Sequence, residues 1–409
     1  MQKSKGYNTI SGLPISLILF LIINFACQKQ KENSDIQDKI VNAQIKEIAI
    51  ETQGKLELAG EGDDKIYVLT VSGSSYEMGK TYGRLMKKEI NEHLPNLIHL
   101  MSQKMSKSET VLDELYSQVK PFIPDHFIEE MQGIADGSGL NFQDVLRANL
   151  IGEASEWHCS LFGAWGKATA ADGHLYQLRS LDYETEANIQ KYPVVVVYFP
   201  NEGFPFANVT WAGVVGSISG MNSQQLAISE IGDDYDKDND SFVGIPFMFL
   251  LRDILQFDNS LEQAIARVKN ASRTTSLMYG IGDGEMGELR GLQTSHTLCN
   301  VYDPNNLEPL TATHRRIEDI VYWGMSWNVP AYDGPLHDKL MEHYGNINAE
   351  VTINDIVTSV GTGDLQTVVY DLTAMKMWIA NAKADNESGP LEAYNRQFVE
   401  FDMNQIFKK

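Results

Sequence analysis

The pattern of apolar and polar positions changes character twice along this chain. After a polar and charged stretch to about residue 60, with weak helical periodicity in "IVNAQIKEIAIE" (40–51), "KIYVLTVSG" (65–73) reads as a strand. Two segments with apolar residues at helical spacing follow. "SSYEMGKTYGRLMKKEINEHLPNLIHLMSQKM" is the first, and "VLDELYSQVKPFIPDHFIEEMQGIADGSG", broken at Pro121 and Pro124, is the second. Asn141 with Asp144 three residues later marks a helix start ahead of "VLRANLIGEA". About a hundred mostly helical residues therefore precede Cys159.

From Cys159 onward the period becomes that of strands. "SLFGAWGKATA", "HLYQLRSLDYE", "YPVVVVYFP", "FANVTWAGVVGSISGMNS" and "LAISEIG" are β-rich and separated by Gly, Asp and Asn turns. Two helical patterns come next, "GIPFMFLLRDILQF" with Pro246 in its first turn and "SLEQAIARVKNA". Further strands close the chain, including "LQTVVYDLTAMKMWIANA". This order of strands, helices and strands predicts helices packed on stacked sheets rather than an alternating parallel fold.

Composition adds a boundary condition. The 409 residues carry a formal net charge of -22 with 43% hydrophobic positions, which fits a globular chain of one large domain or two average ones. Nucleic acid and anionic lipid surfaces are held mainly through Lys and Arg, so the charge excludes nucleic acid as an expected partner. At the N-terminus Lys3 and Lys5 precede the apolar "ISGLPISLILFLIINFAC", too short and wrongly flanked for a membrane span, and residues 1–26 read as a secretory signal. The apolar run stops at Ala26-Cys27 and gives way to "QKQKENSDIQDK". That is the pattern of a bacterial lipoprotein with an acylated Cys27, although Asn24 and Phe25 depart from the usual aliphatic approach. The expectation is an exported protein anchored by lipid at Cys27 and facing the periplasm or the exterior, with a soluble secreted form as the alternative. Residues 27–60 would be a polar tether.

With Cys27 lipidated, only Cys159 and Cys299 remain. They can form one disulfide or stay as buried thiols, but a chain of this size builds its core without a bridge. Arg179 and Asp182 stand three residues apart downstream of Cys159, and on the residues alone Cys159 is either packing material or a reactive thiol; the resemblance below favours the thiol.

Six collinear segments carry a resemblance: "GSSYEMGKTYG", "GIADGSGLNFQDVLRANL", "CSLFGAWGKATA" with the following Asp172-Gly173, Arg179 with Asp182, "WAGVVGSISGMNSQQLAIS" and "GIPFMFLLRDILQ". Together, over roughly residues 64–409, they resemble the acyl-coenzyme A:6-aminopenicillanate acyltransferase-like family. This is the C45 group of N-terminal nucleophile hydrolases, related more distantly to choloylglycine hydrolases and acid ceramidase. The resemblance implies an α+β fold, a four-layer αββα sandwich, made as an inactive precursor. It also implies a self-inflicted cut between His158 and Cys159, giving a mostly helical α chain (61–158) and a catalytic β chain (159–409) that remain associated. The freed α-amine, of pKa roughly 7.7 to 8.0, can take the proton of a thiol whose own pKa is near 8.5, so nucleophile and base share one residue.

The same resemblance assigns roles. Arg179 would favour the thiolate, Asp182 would orient and charge the α-amine, and Asn222 in "GMNS" would donate to the oxyanion. The plain alternatives are a surface pair for Arg179 and Asp182 and a turn residue for Asn222. Where relatives carry Thr-Asn-His, the aligned stretch "IEDIVYWGMSW" has Tyr322, Trp323 and Gly324; Tyr322 is either a hydrogen-bond donor or core.

Rival motifs lack their starting residues: the sequence has no Gly-x-Ser-x-Gly, His-Glu-x-x-His or Walker-type Gly-Lys-Ser/Thr. "DDYDKDND" alternates acids like a calcium loop, yet Asn239 stands where Gly is needed and Ile245 where Glu is expected, so a solvated acidic loop is the expectation. Neither metal nor cofactor is expected. The expected activity is hydrolysis of linear amides of N-acylated amines or amino acids, whose acyl group can be lipid-like. Acyl transfer to another amine, or a non-catalytic exported binding protein of the same fold, are the alternatives.

Overall fold

The computed structural model describes residues 39–104, 110–154, 158–183, 185, 188–306, 314–325 and 331–408. The expected signal and Cys27 lie outside the described residues. Residues 40–409 form one compact unit. It opens with four strands, β1 (Ile40–Asn42), β2 (Lys46–Glu51), β3 (Gly54–Ala59) and β4 (Ile66–Gly73). Residues 40–59 thus belong to sheets and not to a tether. The helical periodicity read there is corrected to strands: Ile48 and Ile50 alternate with Glu47, Ala49 and Glu51 at period two. Antiparallel pairing of β2 with β3 supplies backbone partners that a short exposed helix lacks.

Five helices follow: α1 (Ser75–Leu85), α2 (Lys87–Lys104), α3 (Thr110–Val119), α4 (Asp125–Ser138) and α5 (Phe142–Ala154). Ser74 and Glu77 form a reciprocal capping box on α1, and the Asn141 side chain accepts the Asp144 amide at the start of α5, as its sequence predicts. The segment of helical spacing at 74–105 forms two helices, divided at Met86 (φ -111, ψ 30). Pro121 lies in a short 3₁₀ turn and Pro124 caps α4. Helices α1 and α4 touch backbone to backbone. A Cβ at Gly79 would stand 2.0 Å from the Glu130 carbonyl oxygen, and one at Gly137 would stand 2.3 Å from that of Lys80.

The remaining elements, in order, are β5 (His158–Ala164), β6 (Tyr176–Asp182), β7 (Pro193–Pro200), β8 (Phe206–Trp211), β9 (Ser219–Asn222) and β10 (Leu226–Gly232). Helices α6 (Phe247–Phe257) and α7 (Leu261–Asn270) precede β11 (Leu277–Asp283), β12 (Glu288–Thr294), β13 (Cys299–Tyr302) and β14 (Ile320–Trp323). Then come α8 (Asp333–Glu342), a helical stretch α9 (349–360) with a π-helical centre at Thr352–Ile356, β15 (Gln366–Asp371), β16 (Lys376–Asn381), β17 (Phe398–Asp402) and α10 (Met403–Ile406).

The strands make two sheets. The order is β1-β17-β16-β15-β6-β5-β14 in the seven-stranded one and β13-β12-β11-β10-β9-β8-β7-β4-β3-β2 in the ten-stranded one. They stack through β5, β6 and β14 against β10, β11 and β12; α1, α6 and α7 pack on the larger sheet and α8 and α9 on the smaller. The result is a four-layer αββα sandwich. One apolar core lies between the sheets and continues under the helices of the larger one, and a second lies under α8 and α9. The segment before Cys159 is more than helical, since it supplies β1 to one sheet and β2 to β4 to the other. No helix among the described residues is long and apolar enough to cross a membrane.

Candidate functional site

Antiparallel pairing of β5 with β6 converts sequence spacing into proximity. The register sets His158 opposite Asp182, Cys159 opposite Leu181 and Leu161 opposite Arg179. Side chains of a strand alternate between its two faces. Cys159, Leu161 and Leu181 face the core between the sheets, while Phe162 and Leu178 face the second core. Arg179 leaves β6 on the same face as Cys159, one diagonal step away, and it is fully buried.

Arg179 is held from the opposite sheet. Its Nε donates to the Glu230 carbonyl oxygen at 3.1 Å and its Nη2 to Glu230 Oε2 at 3.2 Å, and the same Nη2 lies 3.8 Å from Cys159 Sγ. Glu230, on β10, is as buried as its partner. The site therefore bridges both sheets. Burial pushes the Cys159 thiol well above its ordinary range; the Arg179 charge pulls it down, and the charges of Glu230 and Asp182 add to the upward push.

Asp182 sits at the end of β6 on the opposite face. Its Oδ1 accepts the Gly363 and Asp364 amides at 2.7 and 3.0 Å, and its Oδ2 accepts the Thr362 hydroxyl at 2.9 Å. Burial first, then the Asp364 charge, raise its carboxyl to about 7 against the pull of these donors. Gly363 takes φ +89, and a Cβ there would fall 2.1 Å from Thr367 Oγ1. Only glycine fits.

The Cys159 amide is treated unusually. β14 pairs with β5 as far as Trp323 opposite Leu161 and then leaves the ladder, because Met325 adopts φ 53 and Asp333 Oδ1 takes the Gly324 amide at 2.6 Å. The Cys159 N–H donates instead to the Met325 thioether, 2.8 Å away. His158 is placed by its backbone alone, and residues 155–157 lie outside the described residues.

Two expected site residues are not brought to the thiol. Asn222 is fully buried at the end of β9, opposite Leu226, and Leu226 precedes Glu230 by four residues on β10, a separation of about 13 Å along a strand. Its Nδ2 donates to the carbonyl oxygens of Leu255 (3.0 Å) and Asp258 (2.9 Å), and its Oδ1 accepts the amides of Gln224 (2.9 Å) and Leu226 (3.0 Å). Both amide hydrogens are spent on main chain, so the oxyanion assignment is corrected to a structural one. Tyr322 pairs with Phe162 and faces the second core; its hydroxyl donates to the Arg315 carbonyl oxygen at 2.7 Å. It is a core residue.

Cys159 and Cys299 are both free thiols, which removes the disulfide alternative. In the acidic loop, Asp236 accepts hydrogen bonds from the hydroxyls of Ser295 and Thr297 and Asp240 accepts one from Ser276, so the alternating acids do not converge. Among the described residues one trio, Glu342, His343 and Asp355, has metal-ligand spacing. Lys339 Nζ already occupies it, 3.0 Å from Glu342 and 3.2 Å from Asp355.

Sequence reading missed Glu230, although one acid inside the apolar "LAISEIG" was a usable signal. It also missed the "GTGD" loop at 361–364.

No family model matches the chain. Protein dcd1A of Dictyostelium discoideum is 30% identical to it over 448 aligned positions that cover 99% of this chain and 100% of that one. An N-acylethanolamine-hydrolyzing acid amidase of Cavia porcellus is 25% identical over 54% of this chain and 62% of its own. Among solved structures, the Caenorhabditis elegans ortholog of that amidase matches 53% of this chain and 93% of its own with 14% identity and a TM-score of 0.41.

Proposed function

We propose that this chain, which belongs to the C45-like family of N-terminal nucleophile hydrolases, is a cysteine amidase that frees its own nucleophile by cutting between His158 and Cys159. The observation that carries the reading is the buried contact of Cys159 Sγ with an Arg179 that Glu230 fixes from the opposite sheet. An arginine so placed lowers the cost of a thiolate, and it is the contact with sulfur that sets Arg179 apart from the equally buried Arg252.

In the first step Cys159 Sγ attacks the His158 carbonyl carbon and the C–N bond breaks. The thiol proton ends on the freed amine, and water hydrolyses the resulting thioester. In the cut enzyme that amine takes the thiol proton. The thiolate adds to the substrate carbonyl, and the leaving amine departs with the proton. Water, deprotonated by the α-amine, then releases the acyl group and restores the thiol. Asp182, opposite His158 in the register, is the group set to hold the α-ammonium. In the uncut chain burial raises its carboxyl to about 7, and the α-ammonium released by the cut would favour its ionised form.

The matched amidases act on N-acylethanolamines by name, so N-acylated amines are the proposed substrate class. Because β1 to β4 are laced into both sheets, the two chains stay associated after the cut. Export by residues 1–26 and lipid attachment at Cys27 belong to the same proposal on sequence grounds, and fatty-acid labelling lost in Cys27→Ser tests them.

Intact-mass analysis of the purified protein is the deciding experiment. Two chains, the larger beginning at Cys159, together with release of amine from an N-acyl amide, support the reading; Cys159→Ala stays whole. An intact wild-type chain that hydrolyses amides overturns it.

A further inference from the structure

Behind Asp182 runs a hydrogen-bond chain that the reaction scheme above does not use. Thr362 Oγ1 donates to Asp182 Oδ2 at 2.9 Å and lies 2.8 Å from Ser160 Oγ. A hydroxyl carries one proton. Given to the carboxylate, it leaves Thr362 only able to accept, so Ser160 is the donor between the two hydroxyls. The chain therefore has a fixed direction, Ser160 to Thr362 to Asp182, whenever Asp182 is ionised. All three side chains are buried, and Ser160 is the residue after the nucleophile, facing away from the thiol.

Each part of this chain is placed by backbone the sequence cannot easily change. Gly361 and Gly363 take φ +69 and +89, which turns the loop so that its amides and the Thr362 hydroxyl converge on one carboxylate. The grip is reciprocal: Asp364 Oδ1 accepts the Tyr183 amide at 2.8 Å, next to Asp182 in sequence. Two amides fix Oδ1, but Oδ2 has Thr362 as its hydrogen-bond donor within the site. Among the described residues, the other titratable groups that feel the Asp182 charge include Asp364, the Cys159 thiol on the other face of the sheet, and the phenols of Tyr332 and Tyr394. Arg179 leaves the same strand toward Glu230. None of these supplies a positive charge.

We infer that Thr362, backed by Ser160, is a positioning residue for Asp182, setting the direction and charge of Oδ2 for the amine that the Cys159 cut releases. The inference rests on the amidase reading for its purpose, but the clamp itself is a property of the uncut chain.

The test separates the two. In a whole-chain Cys159→Ala background labelled with carboxyl-carbon-13 aspartate, the Asp182 signal is assigned by its loss in Asp182→Asn and titrated by NMR. Thr362→Val, which keeps the shape and removes the hydroxyl, should raise the Asp182 midpoint by about one unit or more, a tenfold change in its proton affinity, and Thr362→Ser should return it. In the Cys159 chain the same Thr362→Val should slow cutting and turnover by roughly ten- to a hundredfold below neutral pH, with Thr362→Ser rescuing both. An Asp182 midpoint that Thr362→Val leaves in place overturns the inference, whatever the activity. A midpoint that moves in a protein whose wild type neither cuts itself nor releases amine leaves the clamp standing and removes the amidase.

Discussion

Arg179 and Glu230 form a buried ion pair across the two sheets, 3.2 Å between Nη2 and Oε2, and that same nitrogen is the one 3.8 Å from the Cys159 sulfur. The pair does two things at once. It compensates the buried positive charge of the arginine, and it dilutes the positive field felt by the thiol, since Glu230 pushes the thiol up while Arg179 pulls it down. Glu230→Gln separates these effects. Breaking the pair should cost roughly 3–5 kcal/mol of stability. The unopposed guanidinium should shift the pH dependence of Cys159 alkylation to lower pH. An unchanged melting curve with an unchanged alkylation profile would place Glu230 outside the site.

Asn222 supports an opposite expectation. Its four hydrogen bonds go to backbone groups between β9 and the end of α6, tying the turn at 222–226 to the helix. At roughly 0.5–1.5 kcal/mol net for each bond, Asn222→Ala should cost about 2–6 kcal/mol. Turnover per folded molecule should stay near that of the wild type. Melting curves paired with active-site-normalised kinetics measure both. A hundredfold drop in turnover with an unchanged melting temperature would return Asn222 to the oxyanion.

The contrast between these residues explains what was legible in the sequence. Cys159, Arg179 and Asp182 lie on one hairpin, where antiparallel register turns a 20- or 23-residue gap into adjacency, so a resemblance carried by short collinear motifs reaches all three. Glu230 meets Arg179 only because two sheets stack, and Thr362 reaches Asp182 across 180 residues of chain. No periodicity encodes such contacts. Asn222 misled because its motif fixes a strand end but not which carbonyls its amide will find. At 40–59 the sheet decided: Ile45, Ile48 and Ile50 are exposed, so burial leaves no amphipathic stripe to read, and edge pairing with β3 determines the conformation.

Gly79 and Gly363 should both refuse alanine, with different consequences. At Gly79 the new Cβ meets the Glu130 carbonyl oxygen at 2.0 Å, which forces α1 from α4 and disturbs the Glu130 carboxylate that pairs with Arg252 at 2.6 Å. Gly79→Ala should therefore reduce soluble yield and melting temperature globally. At Gly363 the clash is local to the Asp182 clamp, through Thr367 Oγ1 at 2.1 Å and Ser180 Cβ at 3.1 Å. Gly363→Ala should cost about 1–3 kcal/mol for its left-handed backbone and leave most of the fold intact. Cutting at Cys159 should slow in that variant. Wild-type melting in either one would contradict the close approaches.

The last expectation concerns acid. Burial raises three carboxyls toward neutrality: Asp182 and Glu153 to about 7 and Asp233 to about 6. Each binds its proton more tightly in the folded than in the unfolded chain. Between the unfolded midpoints near 4 and these folded values the native state therefore holds more protons, and stability must fall as pH rises. The contribution is complete below about pH 4 and gone above about pH 7. Carboxyls with the opposite shift, such as Asp355, lowered to about 2 against its burial by hydrogen bonds from Ser359, His343 and Lys339, lose their support mainly below that window, as pH falls from about 4 toward 2. The melting temperature should accordingly rise from pH 8 to about pH 5, by the equivalent of a few kcal/mol at most, before falling. Glu153 lies on α5 six residues before Cys159, with no place in the reaction scheme, so Glu153→Gln isolates the effect. That variant should flatten the slope between pH 5 and 7 and gain stability at pH 8 relative to wild type. A wild-type melting temperature that climbs steadily from pH 5 to 8 would show these carboxyls to be ionised and paired in the folded chain, contrary to their burial.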